Sequence, residues 1–415
     1  MSIYYRAAWV FPVNFPPINE GWVEVDNGVV IRIGSKSTAP PEFQDAQQQF
    51  EVHDLGNVAL LPGLVNSHTH LEFSELSTPV GDPSLDFDDW IAEVVKYRRE
   101  KAAEGVEWLE ETIALGAGES REVGVIGIGE ITTSNSLLAC YSKLNTRIVS
   151  LLEVINYSAE QVSDVTAGVQ DYLTEAAISG VNAGISPHAP YTVHWEQLKL
   201  LCELSKDFEV PCVMHLAETA EECALIQTRS GPLREMLERL GMWEEAGIPV
   251  ESSFQQYIET LASSWRALIV HGNYLKHDDW ELLGKLSSNV SVCYCPRTHH
   301  YFRHPTYALE EMLAAGVRVC LGTDSRASNP DLNLLAEVEF VRNEYPNLNP
   351  STLLEMVTVN AAFALGLETT HGFIGTDAVA SVLSVSLTKE EAGASESACL
   401  SAVLARLSEA QLLRL

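Results

Sequence analysis

Residues 60–71, LLPGLVNSHTHL, are the stretch from which the fold of this chain can be read. An apolar run stops at Pro62-Gly63, resumes for one short step and ends in His68 and His70, two residues apart. In an extended strand, residues i and i+2 point to the same side, so the two imidazoles can converge on one point and form a pincer for a metal ion. Neutral imidazole is the commonest metal ligand, but two histidines do not close a site. An ion of the zinc type needs at least three protein ligands and an open position for chemistry. By itself His-x-His also describes two solvated polar residues at a strand end, so the rest of the chain decides.

From Val58 onward, apolar strand-like runs alternate with longer segments of helical period. Eight such runs occur: Val58–Val65, Val123–Ile128, Arg147–Val154, Val181–Ser186, Val210–Leu216, Ala267–Val270, Val290–Cys295 and Val317–Gly322. Amphipathic stretches such as Gln161–Ile178, Trp195–Lys206 and Tyr307–Ala315 lie between them. Continuous apolar strands separated by helices predict a parallel sheet covered on both faces. Eight of them in about 270 residues predict an α/β fold, a closed (β/α)₈ TIM-like barrel. A doubly wound open sheet is the rival, but no G-x-G-x-x-G follows an early strand and there is no Walker pattern.

Upstream, residues 1–57 read as short strands at Ile3–Val10, Gly21–Val25, Val29–Ile33 and Val52–Leu55. Asn27-Gly28 marks a tight hairpin because both residues tolerate positive φ. The Pro/Gln-rich piece Ala39–Gln49 reads as a surface loop. After Asn360-Ala361-Ala362, which closes a helix, Gly372–Gly375 and Val379–Leu387 read as strands that could rejoin the N-terminal β unit. The Ala/Leu/Glu spacing of Ser401–Leu415 reads as a terminal helix.

At 415 residues the chain is long enough for a barrel and a satellite domain. Hydrophobic residues make up 46% and charged residues 20%, an ordinary globular balance. No apolar run is long enough to span a bilayer, and the opening MSIYYRAAWVFPV lacks the basic end and long apolar middle of a signal peptide, so a cytoplasmic location is expected. A net charge of −31 argues against nucleic acid and against anionic membranes as partners. The eight cysteines include no C-x-x-C pair, and several sit in apolar runs, so buried reduced thiols are expected rather than disulfides or a structural zinc site. Cys293-Tyr294-Cys295 could share a metal, but its apolar surroundings favour inert thiols.

In a barrel, functional residues gather at the C-terminal ends of the strands. Here His68 and His70 follow the first strand, His188 the fourth, His215 and Glu218 the fifth, His271 the sixth and Asp324 the eighth. Any one of them could be a satisfied polar residue at a strand end; their recurrence at one end of the barrel is the pattern of a site. His68, His70, His215 and Asp324 offer three nitrogens and one oxygen, a set suited to Zn²⁺ or Fe²⁺ with a position left for water, whose pKa the metal would lower towards neutrality. Glu218, three residues past His215, should reach the same pocket without binding the metal, which suits a carboxyl that ferries a proton to the substrate. His271 could hydrogen-bond the water or the developing oxyanion, and the free carboxylate oxygen of Asp324 could take the water's proton.

The segments PGLVNSHTH, SPHAPYT, HLAE, HGNYL, CPRT and LGTDS, in this order and spacing, resemble the amidohydrolase superfamily, in particular its nucleoside and nucleobase deaminase branch. The likeness covers nearly the whole chain. It implies a barrel at 58–369 and a composite β-sandwich domain built from 1–57 and 370–415. It implies one divalent metal ion, Zn or Fe, on His68, His70, His215 and Asp324, with Glu218 and His271 as the acid/base pair and His188 contacting substrate. Binuclear relatives carry a bridging modified lysine after the fourth strand; NAGISPHAPYT has none, nor does RIVSLLEVINY in the third.

Deaminases of methylthioadenosine and adenosylhomocysteine usually carry a ribose-gripping glutamate some nine residues after a tryptophan. Here Trp90 is followed nine residues later by Arg99, in DFDDWIAEVVKYRRE. Aminodeoxyfutalosine deaminases of menaquinone synthesis resemble the chain better at this helix, and their substrate bears a benzoate carboxylate, which an arginine fork would pair with. Arg98 is the alternative if the helix is rotated by one position, and either arginine could instead lie on a solvated face. His299 stands in CPRTHHYF where many relatives have Asn, which leaves open how His299 and His300 meet the substrate; Ser325, beside Asp324, completes the substrate-binding candidates. The expected reaction is removal of ammonia from an adenine-type nucleoside, a small-molecule substrate. The rival readings are a chlorohydrolase or a guanine-, cytosine- or pterin-type deaminase on the same scaffold, and a non-catalytic binding relative. The oligomer is left open, a homodimer among the candidates.

Overall fold

The computed structural model describes residues 2–39, 51–249 and 252–415, so most of the loop expected at Ala39–Gln49 lies outside the described residues. The strands are β1 (Ile3–Val10), β2 (Ile18–Asp26), β3 (Val29–Ser35), β4 (Glu51–Asp54), β5 (Val58–Pro62), β6 (Leu64–Thr69), β7 (Val125–Thr132), β8 (Arg147–Val154), β9 (Asn182–Pro187), β10 (Pro211–Leu216), β11 (Arg266–His271), β12 (Val290–Tyr294), β13 (Arg318–Leu321), β14 (Ser381–Ser386) and β15 (Gln411–Arg414). Strands β6 to β13 form an eight-stranded parallel sheet in sequence order, with helices in the connections. This is the (β/α)₈ barrel.

The other sheet has seven strands drawn from both parts of the chain, in the order β15-β14-β5-β1-β2-β3, with β4 paired to β1. Its β2–β3 hairpin turns on Asn27 and Gly28, both at positive φ (50° and 76°), as expected. The run Val58–Val65, expected to be one barrel strand, is divided at Gly63: β5 pairs with β1 and β14 in the seven-stranded sheet, and β6 opens the barrel. A run buried on both faces reads the same in either sheet, so hydrophobicity alone could not locate the break. Gly63 is required there because a Cβ would lie 2.7 Å from the Ile126 side chain.

Three further expectations change. Gly372–Gly375 is irregular, because Ile374 is buried in the core of the seven-stranded sheet and its N–H bonds to the Pro12 carbonyl rather than to a ladder. The C-terminal helix spans Glu396–Ala405, and the chain then extends into β15, antiparallel to β14. Asn360-Ala361-Ala362 lies within the helix Val359–Ala364, whose small residues plug the N-terminal mouth of the barrel. Asn360 there donates to the Val319 carbonyl, and the preceding Val357 carbonyl accepts from Val65 N.

The barrel interior is filled by Val65, Val149, Leu151, Val213, Leu268 and neighbours, including the thiols of Cys293, Cys295 and Cys320. All eight cysteines are free, and only Cys223 is incompletely buried. Among the described residues no helix is long and apolar enough to cross a membrane.

The barrel closes between β6 and β13 with a single bridge, Thr69 to Asp324, supplemented by side chains. Asn66 is fully buried; its Nδ2 donates to Thr323 Oγ1 (2.8 Å) and its Oδ1 accepts from Thr323 N (3.1 Å). Asn66→Ala removes both bonds and leaves a buried N–H without an acceptor, so urea unfolding should show a loss of about 2–4 kcal/mol. A loss under about 1 kcal/mol, the size of one ordinary bond, would show that the seam does not depend on it.

Candidate active site

The strand ends bring His68, His70, His215, His271 and Asp324 together. Ring centroids lie 4.9 Å apart for His68–His70 and for His68–His215, and 5.5 Å apart for His70–His215. Asp324 Oδ1 is 3.6 Å from His68 Nε2 and 3.7 Å from His70 Nε2. Two overlapping groups, His68–His70–His215 and His68–His271–Asp324, each have ligand atoms within 4.8 Å of one another. Both ring nitrogens of His68 and Nδ1 of His70 are buried without a hydrogen-bond partner. Buried polar atoms are normally satisfied, so these orphaned nitrogens mark the place of a ligand the protein chain does not supply. His215 donates from Nδ1 to the His188 carbonyl (3.0 Å), which fixes the ring and leaves Nε2 for that ligand. Asp324 is oriented by Ser325 N on Oδ1 (2.8 Å) and Ser328 Oγ on Oδ2 (3.2 Å). Three imidazoles and a carboxylate are donors that fit a divalent transition-metal ion.

The backbone is strained where it delivers these groups: Ala217, His271 and Asp324 have φ of 55°, 71° and 57°. Such conformations persist when the surroundings over-determine them. Asp324 N donates to the His68 carbonyl (3.1 Å), and Tyr307 Oη donates to the His271 carbonyl (2.9 Å).

Burial separates the charge states. It pushes His70 and His271 down to about 3 and holds His215 well below the usual range, so the imidazoles are neutral. Burial also pushes Glu218 well above the usual carboxylate range, helped by Asp324 and Glu222, which favours its protonated form. Asp324 goes the other way: burial would raise it, but His68, then His271 and His70, pull it below the usual range. Glu218 belongs to neither ligand group, and its Oε1 lies 3.4 Å from His271 Nε2. A carboxyl group whose protonated form is favoured, a neutral imidazole and a carboxylate at one metal-competent point are the parts of a hydrolytic site.

The site opens into a cavity of about 470 Å³ lined by His70, His188, His215, Glu218, His271 and Asp324, and also by Trp90, Arg98, Arg99 and Ser325. His188 is held by Thr192 Oγ1 on Nδ1 (2.7 Å). Trp90 stacks on Phe87 and is anchored through Nε1 to the Val80 carbonyl (3.1 Å). Arg98 is already engaged: Nε and Nη2 donate to Glu72 Oε1 (3.0 and 2.6 Å) and Nη1 to Glu153 Oε2 (3.1 Å). Arg99 is exposed on the same helix, Phe87–Lys101. His299 does not line this cavity; with His300, His304 and Tyr307 it lines a neighbouring one of about 600 Å³.

Three residues escaped the sequence reading. Glu222 spans two backbone N–H groups, accepting from Ala217 N and Glu218 N (2.8 Å each), and so fixes the turn that presents Glu218. Its signal was the fourth position after Glu218, where an acid in a first helical turn reads as a cap. Glu153 ends an apolar strand, and Arg239, at the end of the helix Pro232–Arg239, reads as a surface charge; both line the cavity.

The amidohydrolase family profile matches residues 59–405. An aminodeoxyfutalosine deaminase of Deinococcus radiodurans is 27% identical over 350 residues, covering 80% of each chain. A 5-methylthioadenosine/S-adenosylhomocysteine deaminase of Pyrococcus furiosus is 27% identical over 362 residues, covering 83% of this chain and 78% of that one. Among solved structures, Helicobacter pylori aminofutalosine deaminase in complex with methylthio-coformycin superposes with a TM-score of 0.80 at 21% identity, over 99% of this chain and 97% of that one.

The donor set predicts one transition-metal ion per chain. Elemental analysis should find about one equivalent in the wild type, none in His215→Ala, and an unchanged content in Glu218→Gln. Loss of metal from Glu218→Gln would make Glu218 a ligand rather than a proton carrier.

Proposed function

The chain belongs to the amidohydrolase family, and from that membership we propose that it is a metal-dependent aminohydrolase of an adenine-type nucleoside, replacing the ring amino group by oxygen and releasing ammonia. The observation that carries this reading is Glu218 Oε1 at 3.4 Å from His271 Nε2, beside a cluster of three imidazoles and a carboxylate that opens into a cavity with an aromatic wall. Relatives named as deaminases of purine nucleosides support it.

His68, His70, His215 and Asp324 would hold one divalent ion, zinc or iron. When bound, such an ion supplies a water of lowered pKa, and so a nucleophile at neutral pH. Glu218 gives its proton to the ring nitrogen next to the carbon under attack. His271 hydrogen-bonds the oxygen that arrives, and Asp324, through the oxygen it shares with Ser328, takes a proton from it and passes it to the departing amine. One water proton leaves on ammonia by way of Asp324, and the other passes from the arriving oxygen to Glu218 as the carbonyl forms, replacing the proton that Glu218 gave to the ring nitrogen. His188, Trp90 and Ser325 border the space that the nucleoside would occupy. Glu218→Gln should lose on the order of 10²–10⁴-fold in turnover. Ammonia release from a panel of purine nucleosides tests the reaction against chloride release from a chlorinated ring, the outcome that a chlorohydrolase would give.

Within that class, an aminodeoxyfutalosine-like substrate with a carboxylate arm is favoured over methylthioadenosine or adenosylhomocysteine. Arg98 is matched by two protein carboxyl groups, whereas Arg99 lines the cavity with no ion pair among the described residues. An exposed arginine paired with a carboxylate contributes about 0.2–1 kcal/mol. Arg99→Met should therefore lose about 2- to 5-fold in kcat/KM on a nucleoside with a benzoate arm and nothing on adenosine. Equal activity of the wild type on charged and neutral nucleosides would remove the carboxylate from the substrate.

A further inference from the structure

A second cavity of about 470 Å³ lies at the end of the barrel away from the catalytic cluster, among residues that begin β7, β8 and β9, where the barrel meets the seven-stranded sheet. Arg121, in the last turn of the helix Val106–Glu122, and Arg147, the first residue of β8, line it together with Asn182, His371 and Ser381. No Asp or Glu does so among the described residues, in a chain with 57 acidic residues to 26 basic ones. Arg121 donates from Nη1 to the Asn145 carbonyl (2.6 Å), and Arg147 Nη1 reaches Asn182 Oδ1 at 3.5 Å. Nε and Nη2 of both have no partner among the described residues, whereas Arg32, Arg266, Arg297 and Arg326 each meet a carboxylate. Arg414 adds a third guanidinium nearby, since it stands opposite Ser381 in the β14–β15 ladder. His371, 4% exposed, ties Nδ1 to Thr370 Oγ1 (2.8 Å) and leaves Nε2 without a partner among the described residues.

The charges that bear on these groups are other cations. Burial, then Arg414, holds Arg121 below its usual range, and burial, then Arg147, pushes His371 down to about 4. A cleft lined by one sign of charge focuses its field and concentrates the opposite ion. Two guanidinium forks from different elements, with amide and hydroxyl groups between them, suit an anion that presents oxygens in several directions. Tetrahedral phosphate does so, whereas a planar carboxylate is satisfied by one fork. The net charge of −31 repels polyanions and leaves a small molecule as the ligand. We propose that this cavity is a second binding site, for a small phosphate ester, whose occupant ties the barrel to the seven-stranded sheet. It is independent of the reaction at the other end of the barrel.

The test is a titration of inorganic phosphate, and of ribose 5-phosphate, into the purified protein, followed by phosphorus NMR at an ionic strength held constant with chloride. Each should saturate a single site, and acetate at the same concentration should not displace them. Arg121→Ala and Arg147→Ala should each weaken binding about 2- to 5-fold, the range of exposed ion pairs, and the double variant by on the order of 10-fold. Asn182→Asp keeps the shape of the side chain but sets an internal carboxylate against Arg147. It should weaken phosphate binding at least as much as Arg147→Ala does while the free protein melts no lower than wild type, which separates loss of the site from loss of the fold. Absence of saturable binding, displacement by acetate, or binding unchanged in Asn182→Asp and the double variant would each overturn the proposal. Binding that disappears in His215→Ala would also overturn it, because the phosphate would then sit at the catalytic cluster.

Discussion

Asp324 donates its backbone N–H to the carbonyl of His68 across the line where the last barrel strand meets the first, and Asn66 reaches over the same line to Thr323. The ladder between β6 and β13 is thin, so these few bonds hold together residues more than two hundred positions apart. The metal-competent cluster lies directly on this seam, with His68 and His70 on one side and Asp324 on the other. Ligand geometry and barrel closure are therefore the same event. An ion bound to all four groups would clamp the seam and add its binding free energy to that of the closed barrel.

The second constraint is burial. Several ionisable groups share a small volume that water enters poorly, and each takes the protonation state its neighbours allow. Burial favours the neutral, ligating form of His70, His215 and His271 and raises Glu218, with Asp324 and Glu222 adding to it, while hydrogen bonding and proximity to His68, His271 and His70 hold Asp324 below the usual carboxylate range. No residue type with an unusual intrinsic pKa is needed. The division of labour between two carboxyl groups, one donating and one accepting, follows from which neighbours each has.

How much of this was legible in the chain depends on the range of the signal. His68-x-His70 at the end of an apolar run, and the placing of His215, Glu218, His271 and Asp324 at later strand ends, are local patterns whose meaning comes from a barrel with a working end; the structure brings all of them to one place. The division of Val58–Val65 at Gly63 was hidden because both halves are buried strands. The ending of the chain in β15 was hidden because Gln411–Arg414 becomes a strand only by pairing with β14. Arg98 and Arg99 are adjacent and chemically alike, and only Glu72 and Glu153, distant in sequence, tell them apart. Glu153 and Arg239 carried no distinctive spacing, and the spacing of Glu222 reads as an ordinary helix cap, since an acid or base at the end of a strand or in a terminal turn of a helix is ordinarily a solvated residue.

The packing of sulfur in the barrel gives the molecule a built-in gauge. Cys293, Cys295 and Cys320 lie in the apolar interior beneath the cluster, and burial holds their thiols above the usual range, so they are poor nucleophiles while the barrel is closed. Cys223, half-buried on the helix after β10, is the one thiol with partial access to solvent, and since burial pushes it up to about 12 as well, access alone sets it apart. A thiol-specific reagent will thus modify the chain in two regimes, an early one at the periphery and a late one governed by how often the strands part. The lag between them measures the opening of the barrel in the unmodified sequence, with no label engineered into it.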